Sequence, residues 1–266
     1  MKTIVAAVQM VSTPDVAENM DSAARLVAQA VQQGARMVTL PEYWPIMGMS
    51  DADKLAHAEN AGDGPIQQFM SALAAQHRIW LVGGTLPLVS GEAGKVMNTV
   101  LVYDPAGARV SRYDKIHLFG FTRGEESYNE SKTIVPGSAV CTFEAPFGRV
   151  GLSVCYDLRF PELYRAMGEC ALIVVPAAFT HTTGMAHWEV LLRARAIENQ
   201  CYVLASAQGG THRNGRRTFG HSMLVDPWGE VKELLREGEG VVVGEIDPGV
   251  LQRVRESLPA LKHRTL

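Results

Sequence analysis

The four cysteines of this 266-residue sequence, Cys141, Cys155, Cys170 and Cys201, are widely separated, and no CxxC pair occurs. That spacing gives no support to a zinc site or a dithiol redox motif and fits free thiols in a reducing compartment. No apolar run is long enough to cross a bilayer, so no membrane helix is expected. The apolar stretch within residues 1–10 is too short for a signal-peptide core and reads as a first strand; a cytoplasmic protein is the expectation. An excess of one charge is also missing. The formal net charge is −3 with both signs interspersed, which leaves no electrostatic footprint for nucleic acid or membrane. The densest basic cluster, His212, Arg213, Arg216 and Arg217 around Asn214-Gly215, reads as a solvated loop or a pocket rim. No Ser/Gly run, charge block, low-complexity tract or repeat divides the chain. With 47% hydrophobic residues, a single domain over 1–266 with one large core is expected.

What is present is an alternation of strand and helix signals. Residues 3–9 read as a buried strand, and 20–33 as a helix that follows a turn over 15–19 and is closed by Gly34. A strand over 37–40 ends at Pro41-Glu42. A helix over 65–77 and a strand over 79–85 follow. Residues 97–103 and 108–113 form a hairpin around Asp104-Pro105-Ala106-Gly107. Residues 119–137 read as a long polar loop. Strands over 139–144, 150–155 and 172–175 frame a helix over 160–167. A helix over 187–200, strands over 202–207, 220–225 and 240–246, and a helix over 250–257 complete the chain. Residues 181–184 read as a loop that gates a site. The pattern is α/β and layered, with one mixed sheet or two stacked sheets. Trp44, Trp188 and Trp228 fit a core, a pocket or an interface equally well.

Three strand-like runs close on chemistry-bearing residues: Glu42 after Val38-Thr39-Leu40, Lys115 after 109–113, and Cys155 after 150–154. Ligands collect at strand ends in layered α/β folds. A carboxylate there can take a thiol proton, and an ammonium can lower the thiol pKa and hold an oxyanion. Taken singly, each has a plainer reading: a small buried hydrophobe for Cys155, a cap for Glu42, an exposed strand-end charge for Lys115. Asp157 and Arg159, directly after Cys155, are costly near a core unless paired. A Cys–His hydrolase would instead pair Cys155 with His117, His187 or His221. A serine hydrolase would use Gly151-Leu152-Ser153, but the closing Gly of that elbow is replaced by Cys155. A non-catalytic interaction scaffold would have no need of Glu42, Lys115 and Cys155 together.

Longer segments make the resemblance specific. Leu40-Pro41-Glu42, the run from Tyr113 to Leu118, Gly151-Leu152-Ser153-Val154-Cys155-Tyr156-Asp157-Leu158-Arg159-Phe160-Pro161-Glu162, Pro176-Ala177-Ala178-Phe179, the run from His187 to Glu198 and the run from Gly220 to Gly229 together resemble the nitrilase, or carbon–nitrogen hydrolase, superfamily. The resemblance implies a single-domain four-layer α-β-β-α sandwich that forms homodimers or larger homo-oligomers. It implies a Glu-Lys-Cys triad at Glu42, Lys115 and Cys155, and a second glutamate in the loop before the nucleophile strand. Glu130 fits that place best, with Glu125 and Glu126 as alternatives. Within the family the chain is most similar to the Nit branch, whose deaminated glutathione amidases release 2-oxoglutarate and Cys-Gly. The sibling ω-amidases, which act on 2-oxoglutaramate, share much of the same sequence, and other small aliphatic amides or carbamoyl compounds stay open. A small-molecule amide is then the partner, and no metal or organic cofactor is implied. The candidate substrate-binding residues are Tyr156, through its backbone N–H, Arg159 as a fork for the substrate carboxylate, and Phe179 and Thr180 as pocket lining. Arg159 otherwise reads as half of a buried ion pair, and Phe179 as core.

Overall fold

Alternating burial along the strands sorts the apolar side chains into two cores. In the strand Thr3–Gln9, Val5 and Ala7 belong to one and Ala6 and Val8 to the other. Successive strand residues point to opposite faces, so apolar residues on both mean a sheet covered on both sides. The computed structural model describes residues 2–124 and 126–265. In it, this strand lies in a seven-stranded sheet ordered Gly240–Ile246, Thr3–Gln9, Met37–Thr39, Trp80–Val82, Val96–Tyr103 and Leu86–Val89, with Arg109–Asp114 also paired to Val96–Tyr103. A six-stranded sheet runs Val231–Leu235, Ser222–Val225, Tyr202–Ala207, Leu172–Ala177, Gly148–Leu152 and Thr142–Ala145.

The two sheets pack face to face. Val5, Ala7, Met37 and Val82 of the first share a core with Leu152, Val174 and Val203 of the second. The helices Val16–Gln32 and Pro65–His77 cover the outer face of the first sheet through Leu26, Val27, Met70 and Leu73. The helix His181–Asn199 covers the second through Trp188, Leu192 and Ala196. The architecture is the expected α-β-β-α sandwich, and of the two sheet arrangements left open the stacked pair is found. Trp44 and Trp188 are fully buried, while Trp228 is 58% exposed. Among the described residues no helix is long and apolar enough to cross a membrane.

The strands Leu86–Val89, Gly209–Thr211, Arg217–Phe219 and Val231–Leu235 are additional to those expected, and three further elements differ. The first helix begins at Val16, because Asp15 accepts from the Ala17 and Glu18 amides at 2.8 and 3.1 Å and caps it. The 119–137 segment is not plain loop: Gly120–Arg123 pairs antiparallel with Glu126–Asn129, and a short 3-10 turn Glu130–Lys132 follows. The segment 181–184 is no gating loop. It is the first turn of the helix His181–Asn199, capped by Thr180, and the buried Gly184 sits so close to Phe219 that a Cβ would collide with the ring.

Candidate active site

Close backbone approaches hold the strand ends together. Gly84, at φ +57°, lies against the Pro41 carbonyl where a Cβ would clash, and Thr85 N–H donates to that carbonyl at 3.3 Å. The Thr85 hydroxyl then accepts from the Tyr43 amide at 2.9 Å, which pins both sides of Glu42. Lys115 N–H donates to the Asn98 carbonyl at 3.0 Å, and the Lys115 carbonyl accepts from Gly137 N–H at 2.9 Å. Cys155 follows the strand Gly148–Leu152 at φ +50°, and Tyr43 has φ +55°. Such left-handed conformations cost side-chain-bearing residues about 1–3 kcal/mol, so the surroundings must impose them.

Asp157 does much of that imposing at Cys155. One of its oxygens accepts from Val154 N–H at 2.8 Å and from the Tyr113 hydroxyl at 2.7 Å. The other accepts from His117 N–H at 3.0 Å and lies 2.7 Å from His117 Nδ1. A fully buried carboxylate therefore ties the turn that carries Cys155 to the strand end that carries Lys115. The desolvation cost that the sequence poses at this position is offset by these contacts.

The charges converge on Lys115, whose side chain is entirely buried. Its Nζ lies 2.9 Å from Glu42 Oε1, 3.0 Å from Glu130 Oε1 and 2.8 Å from Glu130 Oε2. Burial alone would push this lysine down, but the Glu130 and Glu42 carboxylates outweigh it and raise it above the ordinary value. Glu42 also accepts from Asn98 Nδ2 and from Ala178 N–H, each at 2.9 Å. Glu130 accepts from the Tyr43 hydroxyl and the Phe119 amide, each at 2.7 Å. Burial works against its charge, yet Lys115 and these donors hold it below the usual carboxylate range. The Cys155 thiol is pushed well up by burial and by Glu42; Lys115 pulls the other way and loses. The expectation that the lysine lowers the thiol pKa therefore holds for its own contribution and fails for the net shift: the resting thiol keeps its proton.

A narrow cleft is lined by Glu42, Glu130, Cys155, Tyr156, Phe179 and Thr180, and also by Arg216. Six of the eight residues singled out from sequence thus share one surface, with Lys115 behind the two glutamates. Of the alternatives to Glu130, Glu126 accepts from the Thr182 hydroxyl at 2.8 Å and does not reach Lys115, and Glu125 lies outside the described residues. Arg159 does not line the cleft. Its guanidinium packs over the Tyr156 and Phe179 rings, 5.6 and 5.2 Å from their centroids, and lies 3.1 Å from His187 Nδ1. The ion-pair reading from sequence is not met, since among the described residues no carboxylate pairs with it.

Arg216 stands where Arg159 was expected. Its Nη2 donates to the Ala178 carbonyl at 2.9 Å, and its buried Nε has no acceptor. The signal for it was the basic cluster read as a pocket rim, but Arg213 and Arg217 looked the same; they pair with Glu18 and Glu237 on the surface. Tyr43 and Asn98, which hold the two glutamates, carry no sequence signal of their role. The other hydrolase readings find no geometry. His117, His187 and His221 do not line the cleft, and the buried Ser153 hydroxyl is spent on the Val174 carbonyl and the Tyr164 hydroxyl, both at 3.0 Å.

Comparison with known proteins accords with this arrangement. The carbon-nitrogen hydrolase family model matches residues 4–256. A deaminated glutathione amidase of Synechocystis sp. is 42% identical, over 98% of this chain and 97% of its own. An omega-amidase of Mus musculus is 38% identical, over 93% of this chain and 89% of its own. The crystal structure of Saccharomyces cerevisiae Nit3, of the nitrilase superfamily, superposes with a TM-score of 0.89 at 32% identity, covering 100% of this chain and 97% of that one. A match that runs through every strand and turn of the cleft leaves one assignment: the chain belongs to the carbon–nitrogen hydrolase family and is a hydrolytic amidase.

Proposed function

We propose that this amidase uses Cys155 to cleave deaminated glutathione into 2-oxoglutarate and Cys-Gly. The observation that carries the reading is the convergence of Glu42, Lys115 and Cys155 on one buried cleft. Because the resting thiol is protonated, attack needs a base beside it. Glu42 takes the proton as Sγ bonds to the amide carbon and an electron pair moves onto the carbonyl oxygen. Lys115 and the Tyr156 N–H stabilise that oxyanion. Collapse breaks the C–N bond, protonated Glu42 hands its proton to the leaving amine, and a thioester remains. Water, deprotonated by Glu42, attacks the thioester carbon; the acid leaves and Cys155 regains its proton. Glu130, held by Tyr43 and Phe119, keeps Lys115 aimed. Each step uses groups of this chain and water, and calls for no metal or organic cofactor.

The acyl half of the substrate ends in a carboxylate beside a ketone. Arg216, with its unpaired Nε at the cleft, is suited to meet it in the place foreseen for Arg159. Phe179 and Thr180 form the adjoining wall. An ω-amidase acting on 2-oxoglutaramate would present the same acyl group, and the mouse relative supports that second reading. A silent scaffold has no use for a buried lysine between two buried carboxylates. The homo-oligomer and the cytoplasmic location stay part of the proposal; the exposed Val190, Ile197 and Trp228 support self-association.

The test is release of 2-oxoglutarate from both substrates by the wild type and Cys155→Ala. Preference for deaminated glutathione, with kcat lower by at least about 10³-fold in the variant, is expected. Preference for 2-oxoglutaramate makes the protein an ω-amidase. Turnover of neither, with Cys155 still readily alkylated, overturns the substrate choice and keeps the chemistry.

A further inference from the structure

Outside the cleft lies a larger chamber of about 380 Å³, open to solvent, with Phe119, Glu130 and Arg216 common to both walls. None of the catalytic steps uses it. One of its lining residues is Lys54, on the short helix Asp53–Ala56, with only 10% of its side chain exposed. Among the described residues no hydrogen bond reaches its ammonium. The nearest carboxylate, Asp51, is 3.9 Å away and 70% exposed, and Asp53 is spent on the Met49 and Ser50 amides and the Ser50 hydroxyl. The remaining contact is the Tyr43 ring, 5.5 Å from Nζ to centroid. That ammonium has no hydrogen-bonded anion, only the loose Asp51 and the more distant Glu130 charge, so an anion entering the chamber can pair with it.

The leaving half of deaminated glutathione supplies such a ligand. Its glycine carboxylate lies about two residues of chain beyond the scissile bond, on the order of 7 Å when extended. Because Phe119, Glu130 and Arg216 line both spaces, the outer chamber is the adjoining space that a leaving half would enter with the acyl half in the cleft. We propose, resting on the function argued above, that Lys54 binds the terminal carboxylate of the departing dipeptide and so selects peptide-like amides that end in a free acid. Asp51 is too distant and too solvated to compete with a carboxylate delivered into the chamber. Burial lowers the pKa of Lys54; Asp51 and Glu130 offset part of that, Arg216 and Lys115 add to it, and an incoming anion would raise it.

The test compares deaminated glutathione with the same molecule carrying a C-terminal carboxamide in place of the glycine acid. The wild type is expected to favour the free acid in kcat/KM by roughly 10- to 100-fold, the worth of a hydrogen-bonded charge pair. Lys54→Met should erase that preference, chiefly by raising KM for the acid, and Lys54→Arg should restore part of it. A wild type that cleaves acid and carboxamide equally overturns the proposal and leaves the function standing. So does a Lys54→Met variant that keeps the preference. A wild type that cleaves neither compound overturns both. Because the first comparison needs no variant, it decides even where Lys54→Met does not fold.

Discussion

Two lysines are buried in this molecule beside the same glutamate field, and the fold treats them oppositely. Lys115 touches three carboxylate oxygens within 3.0 Å, and its pKa is raised in spite of burial. Lys54 has one loose carboxylate at 3.9 Å, and its pKa is lowered by burial. Both side chains are largely buried, though Lys54 faces a chamber open to solvent, and what separates them most is the partners. The first is compensated from within the chain and belongs to the machinery that makes and breaks bonds. The second lacks that compensation and is matched to an anion that comes and goes. A buried charge thus marks structure or function only once its partners are counted.

The largest test of that contrast removes Lys115. In Lys115→Met, Glu42 and Glu130 are left as buried, facing carboxylates, and unfolding stability in urea should drop by about 3–5 kcal/mol. Loss of one oxyanion donor should lower kcat by roughly 10²–10³-fold. A variant as stable as the wild type would mean that the two glutamates do not depend on the ammonium, and the contrast with Lys54 would collapse.

Glu130→Gln is a smaller perturbation of the same cluster. The amide keeps the shape and loses the charge, so Lys115 is aimed less firmly and kcat should fall roughly 100-fold. The pH dependence carries a sign. Glu130 has a lowered pKa in the fold, so its stabilisation is full above the unfolded value of about 4.3 and is lost as pH falls through the folded one. Lys115 has a raised pKa, so its stabilisation is full below about 10.4 and is lost as pH rises through its folded value. Between those limits both contribute. Glu130→Gln should therefore be less stable than wild type at pH 7, with the gap narrowing on acidification below about pH 4. A gap independent of pH, read from urea midpoints across that range, would show that Glu130 acts by packing alone.

Sequence reasoning reached one side of the comparison much better than the other. Glu42, Lys115 and Cys155 each close a strand-like run, and it is the stacking of two different sheets that brings those ends together. The pattern of strands and helices left one mixed sheet or two stacked sheets open; the four layers came from the family resemblance, and the structure shows them in the sorting of Val5 and Ala7 against Ala6 and Val8. The helix His181–Asn199 was read six residues short, because His-Thr-Thr-Gly is a poor helix former and its start is set by Thr180 and by Gly184 beneath Phe219. The hairpin after Phe119 was missed because its order comes from contacts such as the Phe119 ring on Phe121 and Tyr128, 6.1 and 5.6 Å between centroids, and not from a buried alternating face. Arg159 and Arg216 were interchangeable on paper, and only packing separates the arginine lying on two aromatic rings from the one facing the cleft. Lys54 carried no signal, since its meaning lies in the partners it lacks.

The smallest effect is also the sharpest, because its sign is opposite to that at Lys115. A lowered pKa means that the folded state penalises the charged lysine. The penalty is full at neutral pH and is relieved as pH rises toward the ordinary lysine value of about 10.4. Lys54→Met should therefore leave the ligand-free protein more stable than wild type at pH 7, by about 0.5–1 kcal/mol. That advantage should shrink as the buffer is taken toward pH 10, and urea midpoints at the two pH values are enough to measure it. A mass-action argument extends the contrast: a dipeptide acid such as Cys-Gly, present in excess, should stabilise the wild type more than it stabilises Lys54→Met. If Lys54→Met is instead destabilised by a kilocalorie or more without ligand, the ammonium has found compensation inside the chain. The two lysines would then differ in degree and not in kind.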